Sequence, residues 1–479
     1  MKKLSLFILS LLILFSLTSC KKEEEIRTLR IYNWQDYIDD GTMEEGATSM
    51  LDDFKDYYFE KFNEKIEVIY DTFETNESMF NTLKTGKTTY DLVCPSEYMI
   101  MRMIKANMLI PFEEGKTPIY DQYASRYIQN LFSNTPTADG KTMADYAKGY
   151  MWGTVGLVYD PEYVTEEEMS SWNIMWDENY KGMVSTKDSI RDTYIAGVMH
   201  VYLAELIDLK AEYENGLITS AQYTAKINEI MNRCDDETLK LVLEDLQLLK
   251  KNLFGFEVDS GKTDIVNGKI RIQLAWSGDA VYSMLLAEEE DDKILAFSVP
   301  KEGSNIWFDG WVMPKGADTE LAQAFVDFVS MPENAVRNMN MVGYTSAIAG
   351  QEVFDEISDW YDESYDEEGN QDTTDLIPYD VNYFFEGTLD DDCDGIIYTS
   401  TLTGQLYTQY PDLATVERCA IMQDFGEQNN RVIEMWASVK AVDLPLYVTI
   451  GFFVLVGVAI IFVATYSIVM KKHKNRFKR

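Results

Sequence analysis

The chain has 479 residues, 46% of them hydrophobic and 13% aromatic, with 81 Asp plus Glu against 42 Lys plus Arg and a formal net charge of -39. Such a length holds roughly two or three domains with sizeable cores, and the hydrophobic content excludes wholesale disorder. The acid excess excludes a nucleic-acid binder, which needs clustered Lys and Arg, and favours cationic partners.

In chain order, the first feature is MKKLSLFILSLLILFSLTSC: Lys2 and Lys3, an apolar run, then Leu17, Thr18, Ser19 and Cys20. It resembles a bacterial lipoprotein signal. This implies a signal peptide over 1–19, cleavage before Cys20, a lipidated linker over 20–27 and attachment to the outer face of the membrane. From 28 to 443, short β-like runs alternate with amphipathic stretches, the pattern of an α/β protein with parallel strands and helical crossovers. Strands are predicted at 29–34, 65–73, 90–96, 153–160, 269–276 and 294–300. A helix is predicted over 43–62, where Met50, Leu51, Phe54, Tyr58 and Phe62 share one face. Residues 203–254 read as an inserted helical hairpin, and 355–380 as an acidic, turn-rich surface excursion. Residues 444–470 carry no charge and are long enough to span hydrocarbon as a helix. The basic tail 471–479 keeps that end cytoplasmic, so 28–443 is expected outside the cell membrane.

Several chemistries are poorly supported. His200 lies in a helix-patterned apolar stretch and His473 in the basic tail, so neither a histidine-dependent triad nor a multi-histidine metal site is expected. Gly-Lys-Thr triplets begin at Gly86, Gly115, Gly140 and Gly261, but Asn81, Ile110, Thr135 and Phe256 stand where a phosphate-binding loop needs its first glycine. Asp390, Asp392, Asp394 and Gly395 fit the first half of a calcium loop, yet Thr401 replaces the bidentate glutamate, and a solvated acidic loop is the preferred reading. Beyond Cys20, the cysteines Cys94, Cys234, Cys393 and Cys419 form no CxxC pair, and their disulfide state is open.

Three predicted strands end in aromatic and polar clusters: Asn33 to Tyr37, Ser96 to Tyr98, and Trp276 to Asp279. The crevice at carboxyl ends of strands is the usual ligand site of open α/β sheets. The segments YNWQDYI at 32–38, DTFETNESMFNTLKTG at 71–86, YDLVCPSEYM at 90–99 and SWNIMWDENYKGMV at 171–184 are followed by LAWSGDA, NIWFDGWVMPKGA and VGYTSA. In that order they resemble the bacterial extracellular solute-binding proteins for spermidine and putrescine that serve ABC importers.

The resemblance implies a two-lobed periplasmic-binding-protein (type II) fold with a hinge, to which the composition adds a C-terminal transmembrane helix. Lobe 1 would comprise 28–147 and 308–348, and lobe 2 would comprise 148–307 and 349–443. It also implies the ligand residues Trp34, Asp36, Tyr37, Ser96, Tyr98, Ser189, Asp192, Trp276, Trp307, Asp309, Tyr344 and Gln423. Asp188 is an alternative acid beside Ser189. The implied partners are a polyamine and ABC permease subunits, with no cofactor, no metal and no catalysis. The chemistry agrees: carboxylates meet ammonium groups, while Trp and Tyr rings pack on methylenes and attract cations. The alternatives are a receptor for another cationic or metal solute such as ferric iron, and a surface hydrolase using paired carboxylates.

Overall fold

The computed structural model describes residues 26–441 apart from 43–46, 138, 292 and 367–368, together with Val458 and Tyr466. The chain divides into two compact units, residues 1–429 and 430–479, the second described mainly as a helix ending at Lys440. The expected signal peptide and Cys20 lie outside the described residues, as does 444–470 save for Val458 and Tyr466. Among the described residues no helix is long and apolar enough to cross a membrane.

The first unit opens with β1 (Arg27–Trp34), α1 (Met50–Phe62), β2 (Ile66–Phe73), α2 (Asn76–Thr85), β3 (Leu92–Val93) and α3 (Glu97–Lys105). The predicted helix start at 43 moves to Met50 because the Ser49 side chain accepts from the Asp52 backbone N–H and caps the first turn. Next come β4 (Ala147–Tyr159), β5 (Val184–Lys187) and α4 (Ile190–Val201). The segment 203–254 is three helices rather than a hairpin: α5 (Leu203–Glu214), α6 (Ser220–Met231) and α7 (Asp236–Asn252). Thr219 and Asp235 each cap the helix that follows them and so break the run. After these stand β6 (Leu253–Glu257), β7 (Ile272–Trp276), α8 (Ser277–Asp291) and β8 (Ser304–Pro314).

These strands form a mixed sheet in the order β2-β1-β3-β8-β4-β7-β5-β6, with four shorter strands attached. Parallel pairs β1/β2 and β1/β3 stand at one side, and β5/β6 and β5/β7 at the other. Between them β4 and β8 run antiparallel, which departs from the all-parallel pattern expected from the sequence. Their register shifts between Asp309 and Gly310, an irregularity of the kind that re-aims side chains beside functional sites.

The core beneath β1 and β8 is aromatic. Phe54 of α1 packs edge-on to Phe325, which in turn meets Trp311 of β8. Burying a side chain such as Phe54 stabilises by about 2–3 kcal/mol. Tyr57 and Tyr58 belong to α1, and Tyr58 is part of this core. Of the described cysteines, Cys94, Cys234, Cys393 and Cys419 are all free thiols. His200 stacks on Trp176 at 3.8 Å with Nδ1 facing Asp245 at 3.1 Å, a packed flank histidine.

Candidate functional site

β8 passes through the middle of the sheet and presents Trp307 and Asp309 two residues apart, on one face of a strand. The carboxylate of Asp309 accepts the Tyr37 hydroxyl at Oδ2, 2.9 Å, and the Ser96 hydroxyl at Oδ1, 2.7 Å. Tyr37 follows the end of β1 and Ser96 precedes α3, so two strand ends converge on one acid. Burial disfavours the charge and pushes Asp309 up to about 6, with the Ser96 and Tyr37 hydrogen bonds opposing it.

From Asp309 the contacts run in two directions. Through Tyr37 they reach Tyr344, whose ring lies edge-on at 5.8 Å and also meets Trp307 at 5.5 Å. The Tyr344 hydroxyl donates to Oδ1 of Asp279 at 2.8 Å, and Lys187 Nζ donates to Oδ2 at 2.7 Å. That ammonium sits 4.6 Å from the Trp276 ring centroid, and Trp276 Nε1 donates to Asp192 at 3.1 Å. In the other direction, Asn76 donates to both Ser96 Oγ and the Tyr98 hydroxyl. The Arg191 guanidinium lies 4.4 Å over the Tyr98 ring, and Arg191 precedes Asp192 in α4. The two paths meet there, making a closed circuit of contacts.

Glycines permit this crowding. A Cβ on Gly153 would lie 2.2 Å from Ser277 Oγ and 2.8 Å from the Trp307 ring, and one on Gly278 would lie 2.5 Å from the Tyr344 ring. Electrostatics divide the acids into two kinds. Burial raises Asp192, partly opposed by the Ser189 and Trp276 hydrogen bonds. Burial acts the same way on Asp279, but the Lys187 and Lys262 charges outweigh it and hold that carboxyl below its usual range.

Of the residues expected from sequence, Tyr37, Ser96, Tyr98, Asp192, Trp276, Trp307, Asp309 and Tyr344 stand in the circuit. Ser189 supports it by accepting from the Asp192 backbone N–H at the start of α4. Trp34 packs on Phe73 at 4.5 Å, with a buried, unpartnered indole N–H. Asp36 is exposed, at φ 51°, and receives the neighbouring Gln35 amide. The Gln423 side chain is exposed, and the residue contributes instead its backbone carbonyl, which accepts from Arg191 Nη2 at 2.6 Å. Asn76, Lys187, Arg191 and Asp279 were not among the expected ligand residues. Asp279 lay within reach of sequence reasoning, because it closes the cluster after Trp276. Nothing in the sequence distinguishes Lys187 from a surface lysine.

Residues 50–364 match the family model described as "Bacterial extracellular solute-binding protein". The chain belongs to that family. Membership makes this solute-binding protein a receptor and not an enzyme. The putrescine-binding periplasmic protein SpuD of Pseudomonas aeruginosa is 26% identical over 346 residues, covering 70% of this chain and 82% of that one. The putrescine-binding periplasmic protein PotF of Escherichia coli is 28% identical over 332 residues, covering 67% and 78%. Among solved structures, a putative spermidine/putrescine ABC transporter protein from Listeria monocytogenes superposes with a TM-score of 0.58 at 23% identity, covering 86% of this chain and 99% of that one. This likeness shows the α/β periplasmic-binding-protein fold.

Proposed function

We propose that this solute-binding protein is an extracytoplasmic receptor that binds a polyamine between two lobes and delivers it to an ABC permease. The observation that carries the reading is the placing of two buried carboxylates, Asp309 and Asp192, each bonded to an aromatic side chain, Tyr37 and Trp276. An ammonium group docked there gains charge-assisted hydrogen bonds and faces of aromatic rings, and the methylenes between ammoniums lie on Trp307 and Tyr344. The names of the relatives, putrescine-binding and spermidine/putrescine-binding periplasmic proteins, support the same ligand class.

In this reading the lobes are 28–147 with 308–348 and 148–307 with 349–443, and β4 and β8 cross between them. Lipidation at Cys20 and a transmembrane helix over 444–470 hold the receptor on the outer face of the cytoplasmic membrane, beside its permease. Tethering raises the effective concentration of loaded receptor at the permease. Isothermal titration calorimetry of the full chain in detergent with putrescine and spermidine tests the proposal. Micromolar or tighter binding of at least one is expected, and heat-silent titrations with both would overturn it.

A further inference from the structure

Lys187 ends β5 with its side chain fully buried, among the largest fully buried side chains of the described protein. A lysine is almost never buried to that degree unless it is paired. Its ammonium donates to Asp279 at 2.7 Å and to the Val258 carbonyl at 3.1 Å, stands 3.1 Å from Glu257, and lies over the Trp276 ring. Burial opposes the charge, but Asp279 and Glu257 outweigh it and keep the ammonium protonated. This is the environment that the proposed site would offer to an ammonium group of a ligand: two carboxylates, a carbonyl and the face of a tryptophan. The difference is that the cation here is part of the chain.

We propose that Lys187 is a specificity-determining residue whose tethered ammonium fills the cation position made by Trp276, Asp279 and Glu257, so that the site selects diamines over triamines. The charge of Asp279 is already met within the chain, since Lys187 bonds one oxygen, Tyr344 donates to the other and Lys262 approaches to 4.0 Å. Among the described residues the circuit's carboxylates that form no ion pair are Asp309 and Asp192, although the Lys187 charge also reaches Asp192. Two acids of that kind match two ammonium groups. A third ammonium entering beside Trp276 would meet Lys187, and like-charge contact is an effective way to reject a competing ligand.

The assignment rests on the polyamine reading, and one set of titrations separates the two. Calorimetry of the full chain in detergent compares putrescine with spermidine for wild type, Lys187→Met and Lys187→Gln, the glutamine keeping an amide donor for the carboxylates should methionine not fold. Wild type is expected to favour putrescine by about tenfold or more. Either substitution should shrink that preference by about tenfold through a gain in spermidine affinity. If wild type binds spermidine as tightly as putrescine, or a folded variant keeps the wild-type ratio, the assignment of Lys187 falls while the receptor reading stands. If wild type binds neither amine, both fall.

Discussion

The Tyr37 hydroxyl donates to Oδ2 of Asp309 at 2.9 Å, joining the end of the first strand to a strand 272 positions later in the chain. The bond matters because it leaves the carboxylate buried but prepared: two hydroxyls orient it, and among the described residues no cation pairs with it. Asp309→Asn keeps the shape and removes the charge. Polyamine affinity is expected to fall by about 1.5–3 kcal/mol, the range for a lost charge-assisted bond. Unaltered affinity by calorimetry, with the fold intact by circular dichroism, would remove Asp309 from the site.

The elevated position of Asp309, about 6, gives binding a pH dependence of known sign. Above pH 7 the carboxyl is ionised and ready for an ammonium, while the amines of the ligand, like lysine, stay protonated. Below pH 6 the ligand-free carboxyl holds a proton that must leave before a cation binds. Affinity is therefore expected to be flat above pH 7 and to fall by up to about tenfold per pH unit below 6. Burial raises Asp192 as well, which steepens the fall. Calorimetry at pH 5 and 7.5 in buffers of different ionisation enthalpy checks both the affinity and the proton release; an affinity constant across that range contradicts the assignment.

How much of this was legible in the sequence depended on whether burial left a periodic trace. β1 and β2 were found within two residues because β-branched and aromatic residues crowd them and turn residues bound them. β8 was not predicted as a strand at all: all eleven of its residues are buried, so it has no alternation to detect. Only the second half of β4 was seen, for the same reason. At the site, the aromatic and acidic residues were visible as clusters after strands, and the family resemblance ordered them. Lys187 and Arg191 were not, because a charged side chain looks solvated until the fold buries it. The Asp36 and Gln423 side chains are exposed and stand apart from the circuit, since a motif position does not fix which way a loop side chain points.

Gly278 lets Tyr344 reach Asp279. An alanine there places its Cβ 2.5 Å from the Tyr344 ring, so the ring must leave its positions on Trp307 and on the Asp279 carboxylate. Gly278→Ala is expected to destabilise the protein by about 1–3 kcal/mol, as overpacking does, and to weaken ligand binding. Gly255, whose added Cβ meets nothing within 4 Å, is the control: Gly255→Ala should lie within about 0.5 kcal/mol of wild type. Chemical denaturation of the two variants side by side checks this, and equal stabilities would show that Tyr344 has room to move.

Glu97, one residue beyond Ser96, is buried, and one of its carboxyl oxygens has no hydrogen-bond partner among the described residues. The other receives the Phe308 backbone N–H at 3.4 Å, next to Asp309 in the strand. Burial above all, and the Asp309 charge in addition, push Glu97 up to about 8. At pH 7 the folded protein therefore holds this proton, whereas the unfolded chain, with an ordinary glutamate, does not. Folding at pH 7 takes up a proton and is less favourable by about 1–3 kcal/mol than it would be with a neutral isostere. Because the folded value is raised, the stability that Glu97 contributes is complete below the unfolded value of 4.5 and declines as pH rises through 8. Glu97→Gln should then stabilise the protein at pH 7 to 8, and the advantage should shrink towards zero near pH 4. Urea denaturation of both proteins across that range measures the difference, and a difference independent of pH would place the proton elsewhere.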